Sequence, residues 1–534
     1  MRKVRKVRKV RKAVACAVVA LSAAVPLRAQ ETVLYRLIQR GSEVGRETVR
    51  LLRDGYELSV VVPLLQMRLD SRTTLDANGH VARFTARLMP PAGDSVRADW
   101  VATADGDTVR VVVTRAGQTH QLSIPGRADF VIPAQTIAII ALAADRANGR
   151  DTTFRALAMG VDTAMALPVH FRGDSLFVNL GPLEVRGRRG RWPVLDVPMS
   201  QVRGEPWNGR DTLPPLSGMH RPNADYSAPA DAPYTAEGVR VPERLASGDT
   251  FSLGCTLTKP KAGGPRFPVV ATATGSGQED RDENLWPLVP DYRPFRDIAV
   301  RLARAGIAVL RCDDRGFGTS GGDVTHATTE DFAADVHAQL TWLRARPDIN
   351  PRRTAVLGHS EGGLIGPMVA ASDPQLAAVV VMAGTAKPGR DVLHYQIVER
   401  GLADTTLRTA NRDSLRSALE QQVAAMIGTN AWTRFFADYD PSVTARRVRQ
   451  PVLIVQGALD RQVTAGQADT LAAAMRAGGN RDVTVRLFPG LNHLFLVSPS
   501  GTGDPAEYAT LREVTLPQDV LDTIATWLAA KLGR

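Results

Sequence analysis

A chain of 534 residues is too long for one hydrophobic core, so at least two domains are expected. With 44% hydrophobic and 23% charged residues the composition is globular, which excludes a disordered or collagen-like chain. The formal charge of +11 is concentrated: residues 1–30 hold nine Lys or Arg and no Asp or Glu, leaving +2 for the remainder, so no groove for a nucleic-acid backbone is expected.

The first segment reads as an export signal over residues 1–29. A basic stretch from Met1 to Lys12 precedes an apolar run from Ala13 to Val25, and Leu27-Arg28-Ala29 offers a cleavage site before Gln30. The run is shorter than the roughly 20 apolar residues that a membrane span needs, and Cys16 lies inside it rather than after it, which argues against lipid attachment. No later segment is long and apolar enough to span a bilayer. The expected location is periplasmic or extracellular, with no stable membrane span once the signal is removed.

Residues 30–203 alternate short apolar and polar runs broken by turn pairs. Asp54-Gly55, Asn78-Gly79 and Asp105-Gly106 lie beside β-rich stretches such as Tyr56 to Val62 and Thr108 to Val113. These pairs tolerate positive φ and therefore signal hairpins. The apolar stretch from Pro133 to Ala147 is long enough for one helix across the sheet. An antiparallel β-rich domain serving as scaffold or docking module follows.

Residues 204–235 read as a linker, interrupted by Pro206, Pro214, Pro215, Pro222, Pro229 and Pro233. From 236 to 534 strand-like runs alternate with helix-length segments, the pattern of a mostly parallel sheet with helices on both faces. Strands are expected at 251–257, 267–273, 307–311, 354–357, 377–382, 451–456 and 483–488. Helices are expected at 295–305, 329–345, 361–371, 466–477 and 518–531. An insertion at 386–447, carrying Trp432, Phe435 and Phe436, reads as a helical cap.

Gly358-His359-Ser360-Glu361-Gly362 fits a nucleophile elbow, preceded by the apolar run Ala355-Val356-Leu357 and followed by a helix-like segment. A serine hydroxyl is a poor nucleophile at neutral pH and needs a base that a carboxylate orients. The strand ending in Gly457-Ala458-Leu459-Asp460 supplies Asp460. Among nine histidines, only His493 lies in a strand-end loop beyond it. Ser360, Asp460 and His493 are thus the candidate catalytic residues. Two oxyanion donors are expected: the backbone N–H of Glu361 and that of Ser276, with Gly277 as competitor. No side-chain cluster has metal-ligand spacing, and no Gly-Lys-Ser/Thr follows Gly275-Ser276-Gly277, so neither metal nor nucleotide cofactor is expected.

Residues 235–534 resemble the α/β-hydrolase superfamily, and within it secreted bacterial serine esterases and serine-aminopeptidase-like hydrolases. The likeness rests on Thr274-Gly275-Ser276-Gly277-Gln278-Glu279-Asp280-Arg281-Asp282, on Arg311-Cys312-Asp313-Asp314-Arg315-Gly316-Phe317-Gly318-Thr319-Ser320, and on the elbow continued to Gly363. It implies an eight-stranded, mostly parallel α/β sheet with a helical cap, beside the N-terminal β-rich domain. It also implies that Asp313, Asp314 and Arg315 form a structural turn, and that the strand before Cys312 neighbours the strand of Cys255. A bridge between these cysteines is then conceivable, although two separately buried thiols are the expectation. Cleavage of small or medium carboxylic esters through an acyl-enzyme is the expected chemistry, with a small-molecule ester as partner. Peptidase or aminopeptidase and thioesterase or acyltransferase activities are alternatives on the same residues. A lipid- or partner-binding module is the non-enzymatic alternative.

Overall fold

The computed structural model describes residues 31–533 except 40–41, 63–66, 90–95, 97, 116–117, 134–135, 159–163, 181–182, 198–201, 208–224, 246–247, 286–288, 290, 325, 404–411 and 429. The export signal expected at 1–29 lies outside the described residues. Among these residues no helix is long and apolar enough to cross a membrane. The chain divides into two compact units, the second of which begins in earnest at Leu213.

The first unit is one fifteen-stranded sheet, antiparallel except where Phe130–Ile132 runs parallel to Thr152–Ala158. All three turn pairs sit at hairpins, as at Asp105-Gly106, where Asp105 faces Thr108 and Gly106 takes φ 59°. Alternating burial along each strand turns one face inward, and the helix Ala138–Ala147 is buried on nearly every side within that core. Such a helix can expose no polar surface, which explains its all-apolar start. Its first N–H groups would be stranded in the core without the fully buried Glu47. The carboxylate accepts from Ile137 N at 2.8 and 2.9 Å and from Ala138 N at 2.6 Å. Burial outweighs these two donors and pushes the Glu47 carboxyl up to about 7.

Strands reach into both ends of the linker expected at 204–235. Val202–Pro206 is a strand paired with Thr32–Gln39, and Tyr234 opens the sheet of the second unit; Pro214, Pro215 and Pro222 lie outside the described residues.

In the second unit eight strands form one sheet: β1 (Tyr234–Arg244), β2 (Thr250–Pro260), β3 (Phe267–Ala273), β4 (Ala308–Cys312), β5 (Ile349–His359), β6 (Ala378–Met382), β7 (Val452–Gly457) and β8 (Val483–Phe488). Their spatial order is β1-β2-β4-β3-β5-β6-β7-β8, with β2 antiparallel to its neighbours β1 and β4 and every other pair parallel. Inner strands are apolar on both faces because both are covered. Val379 and Val381 pack toward the helices Thr329–Ala345, Gly362–Ser372 and Gly466–Ala477. Val380 and Met382 pack toward Pro294–Arg304 and Gln518–Leu532.

The expectation of two separate thiols is corrected. Cys255 on β2 and Cys312 on β4 stand directly opposite each other in antiparallel register, with Cα atoms 4.0 Å apart, and they form a disulfide. The side chains of such a facing pair project to the same side of the sheet, which brings the sulfurs into bonding range.

Candidate active site

Four chain segments at the carboxyl ends of the parallel strands meet at Ser360. The serine sits between β5 and the helix Gly362–Ser372 with φ 55°, a left-handed conformation uncommon for a residue with a side chain. The two outer glycines make this turn sterically possible. A Cβ on Gly358 would lie 1.9 Å from Gly362 O, and one on Gly362 would lie 2.0 Å from Ala273 O. The turn is pinned by Ser360 N donating to Met382 O at 2.8 Å.

His493 follows β8, and its Nε2 lies 3.1 Å from Ser360 Oγ while its Nδ1 lies 2.7 Å from Asp460 Oδ2. The structure therefore brings together in one line the three side chains that the sequence selected from positions 133 and 33 residues apart. Asp460 follows β7, and its carboxylate is fixed before it meets the imidazole. Gln462 N and Val463 N donate to Oδ1 at 2.7 and 2.9 Å, and Gln456 Nε2 donates to Oδ2 at 2.7 Å. The loop of His493 is shaped by Asn492, whose Oδ1 accepts from Leu494 N and Leu496 N at 3.0 and 3.1 Å. Sequence reasoning passed over Gln456 and Asn492. A glutamine inside an otherwise apolar strand, four residues before the acid, is the signal that could have found the first.

The fourth segment is the loop after β3. An added Cβ on Gly275 would lie 3.6 Å from Ser360 Cβ, so this loop runs against the serine. Ser276 and Glu361, whose N–H groups are the expected oxyanion donors, both line the cavity next to Ser360. The loop is clasped by Asp314, whose carboxylate accepts from Thr274 Oγ1 at 2.5 Å and Glu279 N at 2.8 Å. The neighbouring Asp313 takes Arg281 through both oxygens at 3.0 and 2.7 Å, and Arg315 likewise grips Asp335. The turn 313–315 thus ties the loop to the helix Thr329–Ala345.

Glu361 carries a second connection. Its side chain, buried and with its carboxyl pushed up by that burial, accepts from Thr329 Oγ1 and Trp432 Nε1, each at 2.7 Å. Trp432 belongs to the helix Ala431–Asp438, one of the helical segments between β6 and β7, and stacks on Phe436 at 5.4 Å. These helices share an apolar cluster that includes Leu393, Leu402, Leu419 and Phe436 and packs on Leu364 of the helix after Ser360. Val392, Leu393, Met426, Trp432 and Phe436 face Ser360 and His493 across a cavity of about 310 Å³.

A strained serine on a strand-to-helix turn, at the carboxyl edge of a sheet crossing from antiparallel to parallel, defines a class. The second unit resembles the α/β-hydrolase domains of esterases and peptidases. Residues 291–500 match the family described as serine aminopeptidase, S33, a span that includes Ser360, Asp460 and His493 but not the loop at Ser276. The chain is 31% identical to esterase EstD of Thermotoga maritima over 279 residues, which cover 51% of this chain and 64% of the esterase. It is 26% identical to dipeptidyl aminopeptidase BIII of Pseudoxanthomonas mexicana over 267 residues, covering 48% of this chain and 35% of that one. It therefore spans less than two thirds of either relative's length. An esterase of Pyrococcus furiosus of known structure superposes with a TM-score of 0.40 at 15% identity, over 58% of this chain and 96% of its own.

Proposed function

We propose that the protein is a serine hydrolase that cleaves carboxylic esters through an acyl-enzyme. The observation that carries this reading is the continuous hydrogen-bonded line from Ser360 Oγ through His493 to Asp460, ending at a partly apolar cavity. Ser360 Oγ attacks the ester carbonyl carbon while His493 Nε2 accepts its proton, and Asp460 holds the other ring nitrogen and steadies the imidazolium. The carbonyl oxygen, now negative, receives the N–H groups of Ser276 and Glu361, with the start of the helix Gly362–Ser372 adding favourable dipole. His493 returns the proton to the departing alkoxide, which leaves as an alcohol. A water, deprotonated by the same imidazole, then releases the acid and restores Ser360.

The eight-stranded sheet is the frame of this site, and the helical insertion at 386–447 is its cap. A volume near 310 Å³ favours small or medium esters, and the Trp432–Phe436 stack favours an apolar group on one side of the carbonyl. The Cys255–Cys312 disulfide supports an exported protein, because such bridges persist in oxidising compartments. The match to a serine aminopeptidase family favours, as the second reading, amide hydrolysis on the same three residues.

Kinetics on a panel of p-nitrophenyl esters and aminoacyl nitroanilides tests both readings. The ester reading expects turnover of the esters with Ser360→Ala lowered about 10⁴-fold or more in kcat. A Ser360→Ala variant above a tenth of the wild-type rate would exclude this nucleophile, and faster nitroanilide than ester turnover would favour the peptidase.

A further inference from the structure

We propose that Glu283 and His359 form a positioning pair, which fixes the backbone of His493 and so the reach of its imidazole toward Ser360. The inference rests on the assignment of Ser360 and His493 to the chemistry. Glu283 lies in the loop after β3, His359 is the last residue of β5, and His493 lies in the loop after β8. Glu283 Oε1 lies 2.5 Å from His359 Nδ1, and His359 Nε2 lies 2.9 Å from the carbonyl oxygen of His493. One chain of two hydrogen bonds thus joins the segments that carry the oxyanion donor, the nucleophile and the base.

The protons of this chain follow from its acceptors. A carbonyl oxygen carries no hydrogen, so His359 Nε2 must donate to it. Nδ1 faces a carboxylate oxygen, and a hydrogen bond there requires one further proton between them. Held on the ring, that proton makes an imidazolium beside a carboxylate, both groups nearly sealed from solvent at 3% and 2% exposure. Burial works against the charged ring, but Glu283, the His493 carbonyl and Asp460 together outweigh it and hold His359 above the ordinary histidine value. The other groups that act on this pair are Asp460, Glu279 and Tyr292. The His493 ring stands 4.9 Å from that of His359, and Phe495 meets the His359 ring at 6.0 Å.

Two features argue against simple packing. Buried ion pairs seldom stabilise a fold more than apolar residues of equal volume. Glu283 also adopts φ 57°, and its Oε2 is buried with no hydrogen-bond partner among the described residues, costs that structure alone does not require. The conformation does aim Oε1 at His359.

A pH consequence separates this pair from a spectator. When His359 loses its extra proton at alkaline pH, Nε2–H stays with the carbonyl and the bare Nδ1 lone pair faces a carboxylate. That repulsion loosens His493, so kcat falls on the alkaline side. In Glu283→Gln the amide N–H donates to neutral Nδ1, and the chain holds without charge.

The experiment is the pH dependence of kcat and KM for ester hydrolysis by the full chain, between about pH 6 and 10, for wild type, Glu283→Gln, Glu283→Ala and His359→Phe. Expected is an alkaline fall in wild-type kcat that disappears in Glu283→Gln. Glu283→Ala and His359→Phe should lose about 10- to 100-fold in kcat, the scale of a small misplacement of a reacting group, with KM within about threefold. An unchanged alkaline limb in Glu283→Gln, or kcat within twofold of wild type in His359→Phe, overturns the proposal. Should His359→Phe fail to fold, the isosteric Glu283→Gln profile decides alone. An active Ser360→Ala would sink the underlying assignment. An inactive Ser360→Ala beside a fully active His359→Phe would sink the pair only.

Discussion

Two hollows among the described residues invite comparison, and the larger is not where the reactive groups converge. A groove of about 630 Å³ lies on the sheet of the first unit, whereas the cavity at Ser360 measures about 310 Å³. The groove is lined by charges already matched across neighbouring strands: Arg50 with Glu57 at 3.0 Å, Glu57 with Arg72 at 3.0 Å, and Arg87 with Asp99 at 3.4 Å. These paired charges are satisfied by their neighbours and held on the solvated face of a sheet. The cavity instead joins an apolar wall to a hydroxyl and an imidazole, the latter backed by a buried carboxylate, all delivered from distant strand ends. Convergence of reactive groups, rather than volume, marks a site.

The sharpest break between the two regions should come from Asp460→Asn. An amide can neither hold the required tautomer of His493 nor stabilise its cation, so kcat for esters should fall about 10³–10⁴-fold with little change in KM. A variant within tenfold of wild type would remove Asp460 from the line. Next in size is Leu142→Ala, in the fully buried helix of the first unit, which should cost about 2–5 kcal/mol in chemical denaturation. Ester kcat should stay at the wild-type value wherever that unit remains folded, and a parallel loss would show the hollows to be coupled.

Glu47 gives a smaller effect with a definite sign. Its carboxyl is raised from 4.5 to about 7 in the fold, so the native state binds the extra proton between those values. The stability of the first unit should be full below about pH 4.5 and should decline as pH rises toward 7. Glu47→Gln should flatten that slope in melting curves taken across the range, and a slope unchanged by the substitution would show that Glu47 is not its source. Smallest of all, Arg72→Ala in the groove should shift stability by less than about 1 kcal/mol and leave ester kinetics untouched. A larger kinetic effect would give the groove a role in turnover.

What was legible in the sequence is what local chemistry encodes. Asp-Gly and Asn-Gly pairs mark hairpins because their backbone needs are satisfied within four residues. The elbow could be read because Gly358 and Gly362 are demanded by contacts within the turn and with the adjoining β3 strand. Asp460 and His493 could be selected because each follows an apolar strand. The contacts that the sequence concealed are long-range. Glu283 meets His359 across 76 residues, Trp432 meets Glu361 across 71, and Glu47 caps a helix 90 residues on. No local pattern signals such a meeting. The strand Tyr234–Arg244 escaped notice because half its side chains face solvent and Pro242 interrupts it, features tolerated at the edge of a sheet. The disulfide was misjudged because its formation depends on the register of two strands, which side-chain type does not reveal.

Ester cleavage through an acyl-enzyme requires Ser360 Oγ to be the atom that accepts the acyl group. Mass spectrometry of the full chain after treatment with a fluorophosphonate tests this most directly. A single covalent adduct on the peptide bearing Ser360, absent from Ser360→Ala and slower to form in Asp460→Asn, is the predicted result. No adduct on Ser360 while the untreated protein hydrolyses esters would contradict it.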